Sequence, residues 1–537
     1  MEESMPMSQP KPSLETSNHG RPDVNDGSKA LEVPVVSSDI DDIEKEPAVN
    51  EKGQVDDHEL KHIEGPDGTS KAYKVVRFRP GDPEDPKNFP KARKWLITLT
   101  LSWVCFSVAF SSAVITPGIL GVAAHFDVSE EVALLTVTLF VMGFGIGPLI
   151  FSPLSELYGR RIIYLTTFGV AVVFIIPCAV AKNIQTLLVC RAIGGIAISV
   201  PVANIGGSLA DLWRPEERGV PMAAFSAAPF LGPVFGPLIG GFTYESLGWR
   251  WLYYLQLIVT GALYVAMILF VPETYAPVIL SRRAKKLRKT TSDDCYVAEH
   301  DLMHHSFGHI AQVYLTRPLK LLFTEPIVTL MSLYAAILYG LLYMFFVAYP
   351  IVFQEGKGYS AGITGLMFLP LTVGISVGLV FTPFVNRHYL SLRAKYEGLP
   401  PPELRLIPMI SASWTIPMGV FIFAWTSYPH LSWVGPCLSG FPIGVGFVFV
   451  YNSFNNYIVD SYQHTAASAL AAKTLIRSLW GGSTVLFTTQ MYHNLGYQWG
   501  SSLLGFIALV CCLIPLGFYR YGAAIRKHSK YAYSGEE

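Results

Sequence analysis

The chain has 537 residues, 51% of them hydrophobic and only 15% charged, where a soluble protein carries roughly a quarter charged residues. That deficit points to lipid as the solvent and argues against a soluble globular fold. The 40 basic and 40 acidic residues cancel, so no concentrated basic face is expected and nucleic acid is set aside as a partner.

In chain order, the segment from Met1 to about Lys74 is polar and rich in Asp, Glu, Ser and Pro, without the apolar core of a cleaved signal peptide. Residues 1–94 are therefore predicted to be a disordered cytosolic tail. Apolar runs long enough to cross a bilayer, roughly 20 residues of helix, begin at Trp95. In the first half they cover 95–117, 132–151, 162–181, 187–207, 221–243 and 250–271. Residues 272–325 form a polar central loop with a basic cluster at Arg282, Arg283, Lys285, Lys286, Arg288 and Lys289. The second half supplies 326–351, 363–385, 406–427, 432–452, 466–488 and 500–519 between residues 326 and 520, and 521–537 form a second tail. The expected fold is an all-α polytopic membrane protein of twelve transmembrane helices in two six-helix bundles, an arrangement found in many secondary transporters.

Lys and Arg concentrate in one set of loops, from Lys91, Arg93 and Lys94 through Arg160, Arg161, Arg214, Arg218 and the central cluster to Arg387, Arg526 and Lys527. The opposite loops hold only Lys182, Arg250 and Lys357. Cytoplasmic loops retain these cations, so both termini and the central loop are expected in the cytosol.

The seven cysteines lie singly or as Cys511-Cys512, without ligand-like spacing, and His304 and His305 sit in a polar loop. No metal, cofactor or nucleophile–base set is expected, which argues against an enzyme. No Gly-x4-Gly-Lys-Ser/Thr phosphate loop occurs, so ATP is not expected to drive the chain.

Three motifs carry mechanism. Between spans two and three the sequence reads Ser152-Pro-Leu-Ser-Glu156-Leu-Tyr-Gly159-Arg160-Arg161. Gly159 permits a tight turn, and Glu156 can pair with an arginine or a helix N-terminus; simple positive-inside anchoring accounts for part of the arginines' role. Span four carries Arg191 in Arg191-Ala-Ile-Gly194-Gly195, about one helical turn inside the drawn boundary. A cation in lipid is expensive and commonly functional, the alternative being a side chain that snorkels to the interface. Span five reads Gly232-Pro233-Val-Phe-Gly236-Pro237-Leu-Ile-Gly240-Gly241, with small residues four apart and prolines that bend the helix, a face that lets another helix approach closely.

These segments resemble signatures of the major facilitator superfamily. The resemblance implies a gating latch at Glu156, Gly159, Arg160 and Arg161, a proton-coupling role for Arg191, and an antiporter motif at Gly232, Pro233, Gly236, Pro237, Gly240 and Gly241 that distinguishes exporters and seals the outer side. Here Ser152 and Glu156 stand where that family usually has Gly and Asp. Asp82-Pro-Glu-Asp-Pro-Lys-Asn-Phe-Pro, Asp211-Leu-Trp, Gly248-Trp-Arg-Trp251, Pro272-Glu-Thr-Tyr275 and Tyr451-Asn-Ser-Phe-Asn-Asn456 are similar to segments of the fungal twelve-span drug:proton antiporters, a group with toxin efflux pumps and polyamine exporters. The resemblance covers about residues 78 to 520.

No Asp or Glu falls in the central part of a drawn span; Asp127, Glu130, Glu131 and Glu245 mark outer ends and Asp211, Glu273 and Asp460 inner ones. Glu245, or another outer acid near Arg191, is the candidate proton carrier. Aromatic and neutral polar residues suited to an amphipathic cargo are Asn204, Tyr253, Gln256, Tyr339, Tyr343, Asn452 and Asn455, with Tyr339 and Tyr343 on one helical face. The expected function is proton-coupled export of small organic compounds across the plasma membrane by a single chain in the bilayer. The alternatives are a vacuolar location, a polyamine or other metabolite as cargo, and, in another class, a receptor or membrane-bound enzyme.

Overall fold

A chain in hydrocarbon must satisfy every backbone N–H and C=O internally, since lipid offers them no partners. The computed structural model meets that demand with helices; it describes residues 58–64, 70–214, 217–302, 307–393, 401–462, 465–529 and 531–532. Ten spans run Lys91–Phe126, Glu130–Tyr158, Arg160–Ala179, Ile184–Leu212, Gly219–Leu247, Trp249–Phe270, Pro326–Glu355, Ala361–Tyr389, Pro402–Thr426 and Val434–Ser461. The last stretch, Ala466–Lys527, reverses at Gly496 and so supplies spans eleven and twelve. Each expected span falls on one of these helices, which run as many as nine residues beyond it at spans one and ten and stop one or two residues short of it at one end of spans three, six, nine and ten.

Local chemistry marks where the helices start and reverse. The Ser129 hydroxyl accepts the Val132 N–H and Asn183 accepts the Thr186 N–H, capping spans two and four. Gly159 (φ 104°) and Gly496 (φ 77°) take backbone conformations that L side chains rarely adopt, which lets spans two and three, and eleven and twelve, turn back within one residue. Large apolar side chains such as Trp103, Val173, Leu269, Phe384 and Val510 remain exposed, as expected where the outer surface meets lipid tails. One buried cluster, with Val104, Phe140, Phe168 and Ile205, belongs to the first half. A larger one runs from Val114 and Leu134 to Phe346, Phe447 and Ala469, so the halves share a continuous core.

The predicted tail differs at its end. Residues His58–Glu64 (β1) and Ser70–Val76 (β2) pair antiparallel, and β2 pairs in parallel with Tyr296–Val297 (β3) of the central loop. The polar composition hid these strands: among the strand residues whose burial is described, Tyr73 to Val76 and Tyr296 to Val297, only the three valines Val75, Val76 and Val297 are buried, and one partner lies more than 200 residues away. Residues 1–57 of the expected tail lie outside the described residues. Beside the sheet, Arg283 donates to Asp82, which also accepts the Glu84 N–H at 2.9 Å. Burial opposes the Asp82 carboxylate, but these two donors outweigh it and hold the group below the ordinary carboxylate range. The central loop holds helices Ala276–Thr291, Glu299–Leu302 and Phe307–Thr324, and span twelve continues to Lys527, into the expected second tail.

Candidate functional site

Call the end of the bundle that carries Arg160, Arg405 and Arg526 the basic end. There Gly159 is pressed against the segment that follows span six, and a Cβ on it would sit 2.3 Å from Glu273 Oε2. Glu273 accepts the backbone N–H of Arg160 (3.0 Å) and of Arg161 (3.3 Å), which places a carboxylate on the N-terminus of span three. The Arg160 side chain donates to Asp211 at the end of span four (3.4 Å) and to Ser155 (3.1 Å) and lies 5.1 Å from the Tyr275 ring. Arg161 reaches the Ile268 carbonyl (3.1 Å). Glu156 is half-buried within electrostatic reach of Arg160 and Tyr275.

Asn204, expected in the cargo cavity, belongs to this cluster instead. Its amide accepts the Ser152 hydroxyl (2.7 Å) and donates to Ser155 (3.0 Å), and the residue is buried. Spans eight to ten repeat the clasp: Arg405, in the first turn of span nine, donates to Asp460 at the end of span ten (2.8 Å) and stacks on Tyr389 (3.5 Å). Arg405 was invisible as Arg160's counterpart because no Gly-Arg-Arg motif precedes it.

Span five forms a seam. A Cβ on Gly232 would meet Ala109 Cβ at 2.6 Å, one on Gly236 the Val114 nitrogen at 2.8 Å, and one on Gly240 the Val114 carbonyl at 2.5 Å, all in span one. Further along, a Cβ on Gly241 would lie 2.4 Å from the Ala361 carbonyl, and one on Gly365 2.5 Å from that of Pro237, so span five also packs backbone to backbone on span eight. Pro233 and Pro237 are buried inside this stretch. Glu245 is exposed at its tip and accepts the Gly362 N–H (3.0 Å), while Thr489 donates to Glu130 (3.1 Å) and Gln490 to Glu131 (3.2 Å). These bonds, together with Thr138 to Gly482 and Tyr343 to Ser112, link the halves. They run from mid-span to the end opposite the basic one, so that end is closed.

At the centre, Arg191 is only 2% exposed. Its Nε donates to the Thr136 carbonyl (2.9 Å), both terminal nitrogens donate to the Ser111 carbonyl (3.2 Å), and the guanidinium lies 3.8 Å from the Phe140 ring and 5.9 Å from that of Tyr253. It sits two turns inside the start of span four and does not snorkel. Glu245 is not among its partners. Gln256, one helical turn beyond Tyr253 in span six, is buried with neither amide atom hydrogen-bonded.

Across the interface, Tyr343 donates to Ser112 (2.8 Å) and its hydroxyl stands 3.4 Å from that of Tyr339. Two cations that the sequence reading passed over complete the cluster. Arg477 lies 4.3 Å from the Tyr339 ring and donates through Nη1 to the Tyr451 hydroxyl (2.8 Å), with its Nε unpartnered. Lys473 donates to Asn455 and lies 4.9 Å from the Tyr451 ring and 5.1 Å from that of Phe454. Phe230 of span five stands edge-on to Tyr451 at 5.0 Å. Asn452 is half-buried one residue beyond Tyr451.

The overlooked signal was plain: two cations four residues apart inside an apolar run share one helical face. Insertion scales put about 2.5–3.5 kcal/mol on one Lys or Arg at a helix centre, and none of Arg191, Lys473 and Arg477 joins an ion pair among the described residues. His304 and His305 lie outside the described residues, and no group of three His, Cys, Asp or Glu that could hold a metal occurs among the described ones.

Twelve helices in two halves, sealed at one end and holding buried cations and aromatic hydroxyls between the halves, define the architecture of a membrane transporter. The chain belongs to the Major Facilitator Superfamily, whose sequence profile matches residues 101–485. It is 56% identical over 470 residues, 88% of this chain and 86% of the relative, to the transporter paaT of Penicillium rubens. Over 462 residues (86% and 76%) it is 43% identical to the multidrug transporter mdrA of Aspergillus fumigatus. Over 469 residues (87% and 79%) it is 42% identical to the efflux pump FUB11 of Gibberella moniliformis. Among solved structures, the proton:xylose symporter XylE superposes with a TM-score of 0.57 at 16% identity, covering 80% of this chain and 97% of that one. A peptide transporter, POT, gives 0.57 at 14% identity, covering 83% and 98%. At such identities these two speak to the fold alone. The chain is a multi-pass membrane transporter of this family.

Proposed function

We propose that the chain is a proton-coupled antiporter that exports small organic compounds, such as drugs, toxins or secondary metabolites, from the cytosol by alternating access. In this reading the basic end faces the cytosol with both termini, the membrane is the plasma membrane, and one chain suffices. The observation that carries it is the span-five seam. Gly232, Gly236 and Gly240 lock span five onto span one while Gly241 and Pro237 meet span eight, closing the outer end and leaving the central polar cluster to be loaded from the cytosolic side. The names of the relatives, a multidrug transporter and an efflux pump among them, support the export direction.

Glu156, Gly159, Arg160 and Arg161 form the latch that holds one of the two states. Its counterpart is Arg405 with Asp460, so the same kind of clasp can be released in each half as the bundles rock. Arg191 carries the coupling role by fixing spans one, two and four around one charge. Glu245 acts at the closed end: a carboxylate binds the Gly362 N–H more strongly than the neutral acid does, so an outer proton loosens that contact.

The test is accumulation of labelled toxins, azoles and polyamines in transporter-depleted cells that express the chain, with and without a protonophore. The expected result is lowered accumulation of at least one compound, abolished by the protonophore. Unchanged or raised accumulation across the panel overturns export.

A further inference from the structure

We propose that the cargo site takes an organic anion with a flat aromatic body, its acid group held by Arg477 and Lys473 and its ring lying among Tyr339, Tyr451, Phe454 and Phe230. This rests on the transporter reading and names the substrate class of the same central site. Three observations converge on it. Lys473 and Arg477 are 2% and 7% exposed and sit about 10 and 16 Å of helix rise into span eleven, yet neither joins an ion pair among the described residues. Two like charges on one helical face repel each other, and burial without a counter-ion makes each costlier. An anion between them relieves both effects.

The second observation is the donor set. Arg477 Nε is buried and unpartnered, whereas Nη1 donates to the Tyr451 hydroxyl (2.8 Å), which Lys473 and Asn455 also approach. The unpartnered Nε and the Lys473 ammonium are two charged donors suited to an acid group, with which charge-assisted bonds are the strong ones. Third, the surroundings are ring faces. Tyr451, Tyr339 and Asn455 are half-buried, unlike the two cations behind them, so a ligand meets aromatic surface first and charge at the end. A polycation such as a polyamine would meet two positive charges that, among the described residues, no carboxylate pairs with.

Binding decides the matter. Full-length chain in lipid nanodiscs is titrated with tritiated naphthoate, with naphthamide and with naphthylmethylammonium, which share one body and differ in charge. Naphthoate should bind at least about tenfold more tightly than the amide, and the ammonium compound more weakly still. Arg477→Gln and Lys473→Met should each weaken naphthoate by about tenfold or more and leave the amide within about twofold, while Arg477→Lys should recover most of the loss. Without ligand, both neutral variants should melt no lower than the parent, since each removes a buried charge that has no counter-ion.

Equal or tighter binding of the amide or the ammonium compound overturns the proposal, as does binding of none of the three, or full naphthoate affinity in both neutral variants. Should those variants not fold, the order of the three probes on the parent chain decides. Transport direction does not enter this measurement, so its failure leaves export standing, and failure of the efflux assay leaves the charge preference standing.

Discussion

Arg191 and Arg477 are both arginines buried between the helices of one transporter, yet they are held in opposite ways. All three guanidinium nitrogens of Arg191 donate to backbone carbonyls of its own half, at Ser111 and Thr136. Arg477 has one side-chain partner, two aromatic neighbours and an unused Nε, and it faces the seam between the halves. A saturated cation is part of the framework and an unsaturated one is open to a ligand. The same contrast separates Asn204, whose amide is used up inside the basic-end clasp, from Gln256, whose buried amide has no partner.

The contrast breaks most sharply at Arg191 itself. Arg191→Met strips donors from two buried carbonyls, roughly 1–3 kcal/mol for each, against a total stability of about 5–15 kcal/mol. Membrane abundance should fall several-fold on a quantitative blot, and Arg191→Lys should not restore it, because one ammonium cannot reproduce the guanidinium's fork. Normal abundance and transport in Arg191→Met would erase the distinction from Arg477.

The next largest effect belongs to the seam. Gly232→Leu drives a side chain into Ala109 and the Phe106 carbonyl, and efflux should vanish while the protein still reaches the membrane. Full efflux in that variant removes the main support for export. At the basic end, Glu156→Gln and Arg160→Ala should each cut the efflux rate several-fold at unchanged abundance, and Arg405→Ala should do the same from the other half. If only the first-half variants slow transport, the clasps are not equivalent. Smallest is Asn204→Ala, expected to lower the maximal rate about two- to threefold for every cargo without altering apparent affinity; a cargo-dependent affinity change would return Asn204 to the cavity.

Span count, the family and the glycine–proline face of span five were legible in the sequence because each is local: hydrophobic length, turn glycines and four-residue spacing survive without neighbours. Lys473 and Arg477 were equally visible as letters, but their meaning required knowing that, among the described residues, no acid comes to pair with them. Asn204 had the right chemistry for a cavity and was claimed by Ser152 and Ser155, whose approach depends on how spans two and four cross. The Arg405–Asp460 clasp and the parallel pairing of β2 with β3 join residues 55 and more than 200 positions apart.

The sequence by itself determined that this chain crosses a membrane about twelve times and belongs among the facilitators, since the cost of exposing backbone and charge to lipid leaves few alternatives. Only the tertiary structure decided which buried polar groups are already satisfied and which are left open, because a hydrogen bond needs a partner and partners are brought together only by packing.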